Sequence, residues 1–175
     1  MPAYNEETRI AGTLQRIDAY LATLPYESEL IIVDDGSGKG GREALDKALA
    51  ALRPGLARRL LTHETNRGKG AAVRTGCLAA QGRYVAFIDA DLATPPEALA
   101  GLIEALEAGA DVAVGVRRQA DGSDLRDRRS LRRRLAGRAF ATAVRVLLLP
   151  KMEDSQCPLK AFRREAAQRL FTLQR

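Results

Sequence analysis

Two acidic turns dominate the chemistry that this sequence can offer. Asp34-Asp35 follows the apolar run Leu30-Ile31-Ile32-Val33, and Asp89-Ala90-Asp91 follows Tyr84-Val85-Ala86-Phe87-Ile88. Side chains alternate along a strand, so Asp89 and Asp91 are expected to point the same way. Carboxylates held this close repel unless a cation or hydrogen-bond donors neutralise them. Mg²⁺ or Mn²⁺ fits that need, since such an ion takes one or two carboxylates and fills its shell with phosphate and water. The competing reading makes these Asp residues caps of the helices that follow.

Glycine loops come next. Gly36-Ser37-Gly38-Lys39-Gly40-Gly41 follows a strand but is no nucleotide P-loop: anchored on Gly38-Lys39, the motif needs glycine where Val33 stands and Ser or Thr where Gly40 stands. A dinucleotide fingerprint fails as well, because an acidic pair occupies the turn where phosphate would lie. Asn66-Arg67-Gly68-Lys69-Gly70 opens a helix, and its amides and two cations could hold a diphosphate. A plain tight turn with solvated cations accounts for that loop equally well.

Charge is unevenly placed. The chain has 175 residues and a net charge of +6. Residues 1–116 are net −4, while residues 117–145 hold 10 Arg against Asp121, Asp124 and Asp127. Arg forks grip phosphate well, so this stretch is a candidate local anion site. Nucleic acid is the rival ligand, but no aromatic residue precedes Phe140 there to stack bases. The following apolar-basic run to Leu149 reads either as a helix on an anionic bilayer surface or as a core-facing helix with a solvated Arg edge.

Composition excludes other chemistries. Cys77 and Cys157 make no disulfide framework, and one histidine, His63, makes neither a His/Cys metal cluster nor a two-histidine site. His63 is expected at the surface and Cys77 in the core. No run reaches the roughly 18 apolar residues of a membrane span, and no signal peptide precedes Pro2. A cytoplasmic, reduced protein is expected.

The elements that must position these residues alternate. Ile10, Leu14, Ile17, Leu21 and Leu24 mark one helix; Ala44, Leu45, Ala48, Leu49 and Leu52 mark a second, stopped by Pro54-Gly55. Further helices are expected from Gly70 to Ala80, after Pro95-Pro96, and over Glu165–Leu173. Strands are expected at Leu30–Val33, Leu60–Thr62, Tyr84–Ile88 and Val112–Val116. This order predicts an α/β fold, a mostly parallel sheet with helices on both faces. Both ends look cut: one residue before Pro2 is too little for a strand, and nothing follows the last helix to pack on it.

Five segments in order resemble glycosyltransferase family 2, with the inverting GT-A (Rossmann-like) fold. They are Pro2-Ala3-Tyr4-Asn5-Glu6-Glu7, Ile32–Ser37, Asn66–Ala72, Asp89–Leu92, and Asp154-Ser155-Gln156-Cys157 with Lys160-Ala161-Phe162. The nearest likeness is to dolichyl-phosphate or polyprenyl-phosphate hexosyltransferases, on the glucosyltransferase side. The resemblance implies one catalytic domain over residues 1–175. It implies that hexose, glucose foremost, moves from a nucleotide-diphosphate sugar, UDP-sugar over GDP-sugar, to a lipid phosphate at the cytoplasmic membrane surface. Pro2, Ala3, Tyr4, Asn5, Glu6, Asp34 and Asp35 would hold base and ribose. Asn66, Gly68 and Lys69 would complete the donor site. Asp89 and Asp91 would be the catalytic DxD pair, with Asp91 nearest an Mg²⁺ or Mn²⁺ ion and Asp89 nearer the sugar. Arg117, Arg129, Arg132 and Arg133 would meet the acceptor phosphate. A non-lipid acceptor, nucleotidyl transfer, and a nucleic-acid-binding module built on the Arg stretch stand as alternatives.

Overall fold

The computed structural model describes residues 1–115 and 157–174. Within them the chain runs β1 (Pro2–Ala3), α1 (Ile10–Leu21), β2 (Glu29–Asp34), α2 (Lys39–Ala50), β3 (Ala57–Thr62), α3 (Lys69–Ala79) and β4 (Tyr84–Phe87). A 3-10 turn (Pro96–Ala98), α4 (Leu99–Glu107), β5 (Val112–Val114), β6 (Lys160–Arg163) and α5 (Arg164–Leu173) follow.

β2 shows why the sheet lies between helices. Its residues from Leu30 to Asp34 are all buried, as expected of a strand covered on both faces. Alternation sends Leu30 and Ile32 to one face, where Ile10, Leu14 and Ile17 of α1 and Leu45 and Ala48 of α2 pack. Ile31 and Val33 meet Ala72 of α3 on the other face. Fully burying a side chain such as Leu14 or Ile32 contributes about 2 kcal/mol of transfer free energy.

The strands fall into two sets of three. β1, β2 and β3 pair in parallel, with Pro2 opposite Val33 and Val33 opposite Leu61. β6 lies antiparallel between β4 and β5, with Ala161 opposite both Ala86 and Ala113. The strand–helix alternation thus fits the first set, while the second departs from the mostly parallel expectation because β6 enters from the far end of the chain. β6 carries little strand signal in the sequence, since only Ala161 and Phe162 are apolar in it. Ala161 packs with Leu102 and Leu106 of α4. Phe162 packs on the opposite face with Val73, Cys77 and Phe171.

The opening segment also corrects an expectation. A two-residue strand forms despite the single residue before it, because Met1 contributes backbone groups: Val33 N–H donates to Met1 C=O at 2.9 Å. Met1 is buried, and its backbone nitrogen donates to Ile31 C=O at 2.7 Å. Below it, between β2 and β4, lies an apolar cavity of about 400 Å³ lined by Leu30, Ile31, Val85 and Phe87 among others. Among the described residues no strand ladder joins β1 to β4; α3 packs against both sets instead.

Candidate active site

The acidic turns and the Asn66–Lys69 loop converge on one cleft of about 370 Å³. Pro2, Ala3, Tyr4 and Glu6 form one wall, Asp35 with Asn66, Gly68 and Lys69 a second, and Asp89, Ala90 and Asp91 the third. All these segments leave the carboxyl ends of β1 to β4, where open α/β sheets take their ligands.

The two adjacent aspartates do different work. Asp34 is the last residue of β2 and is fully buried. Its Oδ1 accepts from Ser37 N–H at 3.0 Å and its Oδ2 from Arg42 Nε at 2.7 Å. It closes the turn into α2 and is not among the cleft residues. Asn5 is spent similarly: its N–H donates to Ser37 Oγ, its Oδ1 accepts from Gly38 N–H, both at 2.9 Å, and its φ is +52°. Of the residues expected at a nucleotide, Tyr4, Glu6 and Asp35 line the cleft, and Asn5 and Asp34 do not.

Asp35 faces the cleft from a dense set of donors. Oδ1 accepts from Arg67 N–H at 3.0 Å and lies 2.6 Å from His63 Nδ1, and Oδ2 accepts from Gly68 N–H at 2.8 Å. Burial alone would raise its pKa, but His63 and the two amides outweigh that and hold the carboxyl below its ordinary range. His63 is thus buried and paired, not at the surface as expected. Sequence reasoning missed it because its partner is 28 residues away. Cys77 is buried in the core, where burial pushes its thiol up to about 11.

Asp89 and Asp91 sit beyond the strand. β4 ends at Phe87, so a turn, not strand alternation, brings both to the cleft. Leu92 N–H donates to Asp89 C=O at 3.1 Å, and Leu92 itself has φ +46°. A non-glycine residue in that region costs of order 1 kcal/mol and is typical of functional turns. Asp91 Oδ1 accepts from Ala93 N–H at 2.9 Å. Thr13 Oγ1 ties the turn to α1 by donating to Ala90 C=O at 2.6 Å. Lys69 Nζ reaches Asp89 Oδ2 at 2.6 Å. Asp89 Oδ1 is buried without a hydrogen-bond partner among the described residues.

That orphan oxygen, beside Asp91, fits a cation. Among the described residues no cluster of three or more His, Cys, Asp or Glu exists for a closed metal cage. Two carboxylates suit Mg²⁺ or Mn²⁺ when phosphate and water supply the other ligands. The structure also adds Arg9 to the cleft, paired with Glu6 at 2.8 Å. The Glu6/Arg9 spacing at a helix start was its sequence signal. Arg117, Arg129, Arg132 and Arg133 lie outside the described residues, and among those described no helix is long and apolar enough to cross a membrane.

Known proteins place this architecture. A mannosyltransferase from Pyrobaculum calidifontis, solved with GDP-Man and Mn²⁺, matches 97% of the chain with a TM-score of 0.65 and 25% identity, over 44% of its own length. Glucosyl-3-phosphoglycerate synthase of M. tuberculosis matches 94% with a TM-score of 0.63 and 24% identity, over 56% of its own length. The fold is therefore GT-A. A dolichyl-phosphate beta-glucosyltransferase of Dictyostelium discoideum is 35% identical over 98% of the chain and 55% of its own length. An undecaprenyl-phosphate 4-deoxy-4-formamido-L-arabinose transferase of Aeromonas hydrophila is 35% identical over 94% of the chain and 48% of its own length. The chain spans about half the length of the curated relatives it matches. The family model described as glycosyl transferase family 2 matches residues 1–171. With the acidic turns, the glycine loop and the three-walled cleft all falling inside that match, the chain belongs to glycosyl transferase family 2.

Proposed function

We propose that residues 1–175 form a catalytic domain that transfers a hexose, glucose foremost, from a UDP-sugar to a polyprenyl or dolichyl phosphate, with inversion. The observation that carries this reading is the cleft itself: Asp35, Asp89 and Asp91 arrive from separate turns, and Asp89 keeps a buried oxygen unpaired among the described residues. The names of the relatives supply the acceptor class.

The chemistry follows from charge. An acceptor phosphate oxygen attacks the anomeric carbon, the bond to the diphosphate breaks, and the nucleoside diphosphate leaves with the electron pair. A phosphate monoester has its second pKa at about 6, so it is already anionic at neutral pH and needs less help from a base than a sugar hydroxyl would. Asp35, kept ionised by its donors, offers an acceptor to the nucleoside. Asp91, with Asp89 beside it, would hold Mg²⁺ or Mn²⁺. Such an ion, when bound, stabilises charge on the departing diphosphate. Lys69 and Arg9 add positive charge at the cleft. Arg117, Arg129, Arg132 and Arg133 supply the cations that capture the lipid phosphate, and the basic stretch rests on the cytoplasmic surface of a membrane.

Calorimetry with UDP tests this. Affinity is expected to be higher with Mg²⁺ or Mn²⁺ than with chelator. Asp91→Asn should remove most of that difference, and Asp46→Asn, on α2, should leave it intact. Equal affinity with and without metal would sink the reading.

A further inference from the structure

We propose that His63 is a positioning residue: it holds the Asp35 carboxylate, and through it the Asn66–Lys69 loop, in the geometry that a nucleotide meets. The inference rests on the donor-site reading of the cleft and adds a residue that does not line it.

The geometry is that of a buried relay. An ionised carboxylate only accepts hydrogen bonds, so the 2.6 Å contact between His63 Nδ1 and Asp35 Oδ1 fixes the proton on Nδ1. The other ring nitrogen, Nε2, lies 2.9 Å from Thr75 Oγ1 on α3. The backbone of His63 is held too, its N–H donating to Asp34 C=O at 2.9 Å. The imidazole is therefore held on one side by Asp35, just after β2, and on the other by Thr75 of α3. Asp35 in turn accepts from Arg67 and Gly68 amides. Three donors on a carboxylate with about four acceptor directions leave one, on Oδ2, for a ligand. Without His63, Asp35 Oδ1 keeps only the Arg67 amide, and the carboxylate shared by the two loop amides is less firmly fixed.

Asparagine and glutamine separate this role from mere space filling. Asparagine places its amide nitrogen near the Nδ1 position and can still donate to Asp35. Glutamine reaches towards Nε2 and Thr75 instead. Two readouts are needed. Amide hydrogen exchange at Arg67 and Gly68, without ligand, should be faster in His63→Leu and His63→Gln and near wild type in His63→Asn. UDP affinity in the presence of Mn²⁺ should fall about ten-fold or more in the first two variants, the scale of a lost hydrogen bond to a charged group. It should stay within about three-fold of wild type in His63→Asn. If His63→Leu does not fold, the comparison of Asn with Gln still decides. The proposal is overturned if Asn behaves as Gln does, or if loop protection and affinity survive in Leu. If the wild type itself ignores UDP, the donor-site reading fails, while the ligand-free exchange still judges His63.

Discussion

Lys69 Nζ stands 2.6 Å from Asp89 Oδ2, so the cation of the glycine loop neutralises the first carboxylate of the DxD turn. Lys69 was expected to meet a diphosphate; in this structure it is engaged by Asp89. The pair is partly exposed, with side-chain exposures of 56% and 20%, so solvent screens it. Replacing Lys69 by Gln leaves Asp89 and Asp91 with a larger uncompensated negative charge. Mn²⁺ should then bind the nucleotide-free protein roughly three- to ten-fold more tightly, the scale of a screened charge pair. UDP should bind more weakly at the same time. Titration of Mn²⁺ followed by its paramagnetic signal checks both; unchanged Mn²⁺ affinity would contradict the assignment.

Two glycines with similar backbones should respond differently to alanine. Gly36 has φ +76° and a Cβ there would sit 2.5 Å from the Thr65 carbonyl carbon. Gly55 has φ +92° but nothing within 4 Å of such a Cβ. Gly55→Ala should therefore cost only the left-handed conformation, about 1–2 kcal/mol. Gly36→Ala adds a backbone clash between the Asp35 turn and the loop after β3, and should cost clearly more. Urea unfolding of both variants compares them; equal losses would mean that the turn yields freely.

The basic stretch should bind membranes by charge. Wild-type protein is expected to pellet with anionic vesicles at low salt and to be released at high salt, each Arg near the surface contributing about 1 kcal/mol. A variant with Arg132, Arg133 and Arg134 each changed to Glu should remain in solution and still bind UDP. Pelleting as well as wild type, or losing UDP instead, would give the stretch a different role.

What the sequence displayed, and what it hid, follows from range. β2 was legible because burial on both faces demands a continuous apolar run, and α1 because Ile10, Leu14 and Ile17 share one stripe. The acidic turns were legible because charge after such runs is conspicuous. Asp34 and Asp35 are adjacent, however, and only the fold shows that Arg42 and the Ser37 amide take the first while the cleft takes the second. His63 was hidden because its burial depends on Asp35 and Thr75, from two other elements. β6 was hidden because its four residues acquire strand geometry only by sliding between β4 and β5.

The cleft straddles the seam between the two strand sets. Asp35 leaves β2 of the parallel set, whereas Asp89 and Asp91 leave β4 of the antiparallel set. A molecule seated there acts as a keystone, touching both halves where, among the described residues, no strand ladder does. Its binding free energy then resists any widening of the seam, and the gain in stability grows with the logarithm of ligand concentration above Kd. The linkage also runs backwards: a substitution on α3 that loosens the two halves, far from any ligand atom, would weaken the grip of the cleft.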